Sequence, residues 1–128
     1  MMARYLLDTN VLVDYSKGVG AVVTQLRMWA TGGDDIGICG VQIAEFYSGI
    51  APADRRAART FLAAFHRWPI TETAALYAGT YRYDFARVGV HIATPDAMIA
   101  GVARARSATL VTRNVRDFPM TDIRILSL

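Results

Sequence analysis

The chain predicts an α/β fold, a three-layer α/β/α sandwich around a mostly parallel central sheet. Short apolar runs at Tyr5–Leu7, Ile36–Cys39 and Thr109–Thr112 read as buried strands. Between them apolar residues recur three and four apart, the period of helices with one buried face. Strands and helices therefore alternate from end to end, and neighbouring parallel strands require helical crossovers.

Each element has its own signal. Tyr5-Leu6-Leu7 ends in Asp8-Thr9-Asn10, residues that turn the chain and cap helices, before Val11, Leu12, Val13 and Tyr15 resume the apolar pattern. Val19, Val22, Val23, Leu26, Trp29 and Ala30 form one helical stripe stopped by Gly32-Gly33. After the second strand a stripe runs through Ile43, Phe46, Tyr47 and Ile50, and Pro52 separates it from a helix opened by Asp54. That helix turns Ala57, Ala58, Phe61, Leu62 and Phe65 inward and Arg55, Arg56 and Arg59 outward. Trp68-Pro69-Ile70 reads as a short strand or extended link. Ala74, Tyr77, Ala78, Tyr81 and Phe85 repeat the helical period as far as Gly89. Thr94-Pro95-Asp96 has the order of an N-cap, a first-turn proline and a first-turn acid, which predicts a helix over 95–106. Ile123, Ile125 and Leu126 supply a last, weaker strand.

Composition bounds the function. A chain of 128 residues, 53% hydrophobic and 20% charged, reads as one folded domain over 1–128 rather than a disordered tail. It lacks the ~20-residue apolar stretch of a membrane span. The apolar run before Asp8 is too short for a secretion signal, so cytoplasmic residence without membrane attachment is expected. Cys39 is the only cysteine, which excludes an internal disulfide framework and a thiolate zinc cluster. Lys17 is the only lysine among fourteen basic residues and follows no glycine loop, which excludes P-loop nucleotide hydrolysis. The remaining basic residues are arginines, whose planar fork suits phosphate and carboxylate.

The acids fall in places that composition alone does not explain. In open parallel sheets the reactive crevice lies at the carboxyl ends of the strands. Asp8 directly follows the first strand, Asp96 sits in the first turn of its helix, and Glu45 interrupts an apolar stretch about one turn after the second strand. Taken singly, these are a cap, an acid favoured by the helix dipole and a solvated side chain. Gathered at one edge they would repel one another, and a divalent cation resolves the repulsion. Oxygen-only ligation by Asp8, Glu45 and Asp96 selects Mg²⁺, with Mn²⁺ as its substitute, and phosphodiester hydrolysis is the reaction such a site serves. The segment Thr112-Arg113-Asn114-Val115-Arg116-Asp117 returns to the same rim: Asn114 can offer a carbonyl oxygen and Asp117 a fourth acid. Thr9, Asn10 and Thr112 are placed to orient carboxylates or waters. His66 and His91 read as ordinary histidines, Tyr81 and Tyr83 as packing residues. An aspartyl-phosphate signalling domain is disfavoured, because position 10 is Asn and no lysine follows a strand.

Leu6-Leu7-Asp8-Thr9-Asn10-Val11-Leu12, Ala44-Glu45, Pro95-Asp96-Ala97-Met98-Ile99-Ala100 and Leu110-Val111-Thr112-Arg113-Asn114 together resemble the PIN domain in order and spacing, over essentially the whole chain. At this length the chain is similar to the VapC toxins of toxin–antitoxin pairs and to the related FitB-like proteins. The resemblance implies a Mg²⁺- or Mn²⁺-dependent endoribonuclease, inhibited by a VapB-like antitoxin, and a homodimer. By motif, Asp8, Glu45 and Asp96 correspond to the family's metal-binding acids. Its fourth acidic position is held here by Asn114, so either three carboxylates suffice with Asn114 as a neutral helper or Asp117 takes the place. The same departure leaves open a catalytically weakened PIN module that binds RNA or a partner protein.

Overall fold

A computed structural model gives the structure, described over residues 2–128. Strand β1 (Arg4–Leu7) leads through helices α1 (Thr9–Ser16) and α2 (Gly20–Thr31) to β2 (Asp35–Ile38). Helices α3 (Gly40–Ser48) and α4 (Arg55–Leu62), separated by a 3-10 turn over Pro52–Asp54, lead to β3 (His66–Arg67). Helices α5 (Glu72–Arg87) and α6 (Thr94–Arg106) lead to β4 (Thr109–Thr112), and a second 3-10 turn, Val115–Asp117, precedes β5 (Ile125–Ser127).

The five strands form one sheet in the order β3-β2-β1-β4-β5, and every neighbouring pair is parallel. Successive strand residues face opposite sides. Leu6 and Leu110 accordingly enter a core with Ala78, Tyr81 and Ile99 of α5 and α6. Leu7 and Val111 enter a second core with Leu12, Leu26, Phe46 and Leu62 of α1 to α4. These two cores on either side of one sheet are the three layers expected from the sequence.

Several boundaries differ from the sequence reading. The third strand is His66–Arg67 rather than Trp68-Pro69-Ile70. Pro69 has no N–H to extend a ladder, and Trp68 packs its ring against Gly37, where a Cβ would stand 2.6 Å from ring atoms. Helix α3 stops at Ser48, before Ile50, and α4 stops at Leu62, leaving Phe65 buried beyond its end. Helix α6 starts at Thr94 with Ala93 as its cap and no side-chain capping bond, so Thr94 is not the cap.

Crossovers leave β1 toward β2 on one side and return to β4 on the other, so the order reverses between β1 and β4. In parallel α/β sheets that reversal opens a crevice at the carboxyl ends of the two strands. Asp8 and Thr112 stand there. Among the described residues no helix is long and apolar enough to cross a membrane.

Candidate active site

Asp8 is the residue around which the crevice is built. It is buried, with only 7% of its surface exposed, where α1 begins directly after β1. Its backbone N–H donates to Val111 O at 2.8 Å, which fixes the start of α1 against β4. Its carboxylate is held on both oxygens: Oδ1 accepts from Thr9 N–H at 2.8 Å, and Oδ2 accepts from the Thr112 hydroxyl at 2.8 Å. Asn10 Nδ2 lies 3.4 Å from the same Oδ2, and Asn10 Oδ1 accepts from Arg113 N–H at 3.1 Å. Asp8 is thus a cap as well as a rim acid, and the two readings of it are compatible.

The other acids come from three further elements. Glu45, exposed on α3, accepts from the Thr9 hydroxyl at 2.6 Å, so Thr9 touches both carboxylates, one through its backbone and one through its side chain. Asp96 is half-buried in the first turn of α6 and makes no ion pair among the described residues. Asp117 is exposed at the end of the second 3-10 turn. Asn114 is exposed, and its backbone N–H donates to Thr112 Oγ1 at 3.0 Å. An open depression of about 420 Å³ is lined by Arg113, Asn114, Val115, Arg116 and Asp117.

The electrostatics join these groups. Burial pushes Asp8 above the ordinary carboxylate range; the bonds from Thr112 and Thr9 oppose that shift, and the charges of Glu45 and Asp117 reinforce it. Burial, followed by the charges of Asp117, Asp8 and Glu45, pushes Asp96 up to about 6. No basic side chain contributes to either balance. The ion pairs among the described residues, His66–Asp35, Arg104–Asp122 and Arg113–Asp14, all use other acids. Four carboxylates therefore act on one another through their charge, and none of them is in an ion pair among the described residues. As they stand, no three His, Cys, Asp or Glu side chains among the described residues are gathered closely enough to ligate one ion. The chemistry of the donor set, oxygen ligands with uncompensated charge, fits a hard divalent cation.

One buried polar side chain beside these acids was not singled out from the sequence. Gln42 is fully buried on α3, one turn before Glu45. Its Oε1 accepts from the Cys39 N–H at 3.1 Å and from the Cys39 thiol at 2.8 Å, and its Nε2 donates to Leu7 O at 2.8 Å. Burial pushes the Cys39 thiol up, which keeps it protonated as that donor. Its signal is the polar interruption of an apolar run three residues after Cys39, the position from which a Gln closes a capping box.

The model of the PIN domain family matches residues 5–123, nearly the whole chain. The chain belongs to the PIN domain family. Relatives within that family include VapC proteins. This PIN domain is 30% identical over 117 residues to ribonuclease VapC19 of Mycobacterium tuberculosis, covering 90% of this chain and 92% of the relative. It is likewise 30% identical over 122 residues to the tRNA(fMet)-specific endonuclease VapC of Shigella flexneri, covering 91% of each. Among solved structures, the DNA-bound VapBC of Salmonella typhimurium superposes with a TM-score of 0.83 at 26% identity, covering 98% of both chains. The PIN domain is thus closely related to VapC-type toxins.

Proposed function

We propose that this PIN domain is a divalent-metal-dependent endoribonuclease, the toxin of a toxin–antitoxin pair, neutralised by a VapB-like antitoxin. The observation that carries the reading is that Asp8, Glu45, Asp96 and Asp117, from four separate elements, lie within electrostatic reach of one another while none of them is in an ion pair among the described residues; burial first, and then the charges of Asp117, Asp8 and Glu45, lift Asp96 to about 6. The names of the relatives, a ribonuclease and a tRNA endonuclease, support RNA as the substrate. The VapBC assembly among its structural neighbours supports an antitoxin partner. Action in the cytoplasm as a homodimer is part of the same proposal.

In this reading Asp8, Glu45 and Asp96 hold Mg²⁺, with Mn²⁺ able to replace it. Bound there, the ion supplies Lewis-acid activation of water and neutralises charge on the scissile phosphodiester. The chain's own residues prepare the site. Thr112 and the Thr9 N–H favour the ionised form of Asp8 and fix its two oxygens, while the Thr9 hydroxyl restrains Glu45 on an otherwise exposed helix face. Asn10 joins Asp8 to the Arg113 backbone, so the loop bearing Asn114 and Asp117 keeps its place beside Asp8. In this reading either Asn114, as a neutral helper, or Asp117, as a fourth acid, completes the site from the β4 side.

Two observations favour a second reading, a catalytically weakened module that binds RNA or a partner: the neutral Asn114, and acids not drawn to ligating distance. Cleavage of RNA by the purified protein with Mg²⁺ or with chelator, against Asp8→Asn and Asp96→Asn, separates the two. The nuclease reading expects metal-dependent cleavage lost in both variants. Equal cleavage by all three proteins would overturn it, and RNA binding without cleavage or Mn²⁺ binding would establish the second.

A further inference from the structure

We infer that Gln42 is a positioning residue that sets the spacing between Asp8 and Glu45. The inference rests on the metal-dependent reading of the site for its functional consequence, and on the geometry of Gln42 for the spacing itself.

Backbone groups alternate sides along a strand. Asp8 N–H points to β4, where it bonds Val111 O, so the Leu7 carbonyl faces β2. The last residue pair between those strands is Leu6 with Gly37, and β2 ends at Ile38. Leu7 O, immediately before Asp8, is thereby left without a strand partner inside the core. The side-chain amide of Gln42 is its partner, across 35 residues of sequence. The same side chain closes the first turn of α3 through Cys39, and Glu45 stands three residues further along that helix. One fully buried side chain therefore ties the strand that ends in Asp8 to the helix that carries Glu45.

The hydrogen bond that joins the start of α1 to Glu45, Thr9 Oγ1 to Glu45 Oε1, is exposed to water. An exposed bond exchanges readily with solvent, whereas a buried polar group that loses its partner finds no water to replace it. The Gln42 tether is thus the frame, and the Thr9 bond is adjusted within it. A fully satisfied buried amide with no part in binding substrate would be replaceable by an apolar side chain at a cost in stability alone. The inference here is that its replacement also changes the site.

The test uses Gln42→Leu and Gln42→Met, which keep volume and remove the amide, with Leu26→Ala as a control that loses packing in α2 away from the acids. Residues orienting metal ligands typically change metal affinity by about 10–100-fold. Mn²⁺ titration by calorimetry, at a temperature where all variants are folded, is expected to show a loss of at least about tenfold for the Gln42 variants. The control should stay within about twofold at an equal or larger drop in Tm. A crystal structure of metal-free Gln42→Met is expected to show Glu45 displaced from Asp8 and its bond to Thr9 lost. An unchanged Asp8–Glu45 separation, or an affinity loss matched by the control, overturns the inference. Wild type that binds no Mn²⁺ would instead sink the metal-dependent reading, and the crystal structure would still decide the role of Gln42.

Discussion

Thr112 donates its hydroxyl to Asp8 Oδ2 at 2.8 Å across 104 residues of sequence, joining the carboxyl ends of β4 and β1. Thr112 Oγ1 in turn accepts from Asn114 N–H, so one hydroxyl organises both the buried acid and the loop beside it. A hydrogen bond to a charged group contributes about 1.5–3 kcal/mol. Thr112→Val, which keeps the shape and removes the donor, should lower the unfolding free energy by about that amount at pH 7. The bond favours ionised Asp8, so its loss lifts the folded pKa further above 3.8. The penalty is therefore full where Asp8 is ionised and shrinks as pH falls through its pKa. Urea unfolding at pH 7 and pH 4 measures the difference, and an equal penalty at both would assign the loss to packing.

Asp96 gives the opposite sign. Its folded pKa of about 6 lies above the ordinary 3.8, because burial and the charges of Asp117, Asp8 and Glu45 penalise the anion. Between those values the folded protein binds more protons than the unfolded chain, so its contribution to stability falls as pH rises from about 4 through about 6. Without metal, Asp96→Asn should therefore melt at a higher temperature than wild type at pH 7.5, and the gap should close near pH 4. The same substitution should abolish RNA cleavage. Calorimetric melting in chelator reads the first outcome, and a wild type more stable than Asp96→Asn at pH 7.5 would contradict it.

The sequence revealed the layers and the approximate place of Asp8, Glu45 and Asp96, because hydrophobic period and position after a strand are local signals. The relations between distant residues were legible only in part. Thr9 and Thr112 could be placed near the acids, but which hydroxyl meets which carboxylate depends on the sheet order, which brings β4 beside β1. Gln42 was passed over because a lone polar residue in an apolar helix carries no mark of the carbonyl it serves. Of the two readings of Trp68-Pro69-Ile70, a short strand or an extended link, the structure has the link, and the pairing with β2 falls just before it on the polar His66 and Arg67, which carry no apolar signal.

Metal binding should release protons near the pKa of Asp96. An ion held by Asp96 competes with its proton, so Mn²⁺ affinity is expected to fall below pH 6, approaching about tenfold per pH unit for one displaced proton. Calorimetric titration at pH 6 in two buffers of different ionisation enthalpy should give different apparent heats, and the difference should vanish at pH 8. Identical heats at pH 6 would remove Asp96 from the ligand set.

Gly101 and Gly79 lie inside α6 and α5, where alanine ordinarily stabilises a helix by about 1 kcal/mol relative to glycine. Their surroundings reverse that expectation at one position. A Cβ on Gly101 would overlap the Ala74 carbonyl oxygen and stand 3.3 Å from Ala78 N, both backbone atoms of α5, whereas nothing lies within 4 Å of one on Gly79. Backbone cannot step aside as a flexible side chain can, so Gly101→Ala must push α6 away from α5. Overpacking of this kind costs about 1–3 kcal/mol, which exceeds the gain in helix propensity. Gly101→Ala should thus lower Tm by several degrees and Gly79→Ala should raise it slightly. Because α6 carries Asp96 five residues earlier, the displaced helix should also weaken Mn²⁺ binding, while Gly79→Ala should leave it unchanged. Melting and Mn²⁺ titration of the two variants side by side test both halves, and a stabilised Gly101→Ala would show that the close approach of the two helices does not constrain this position.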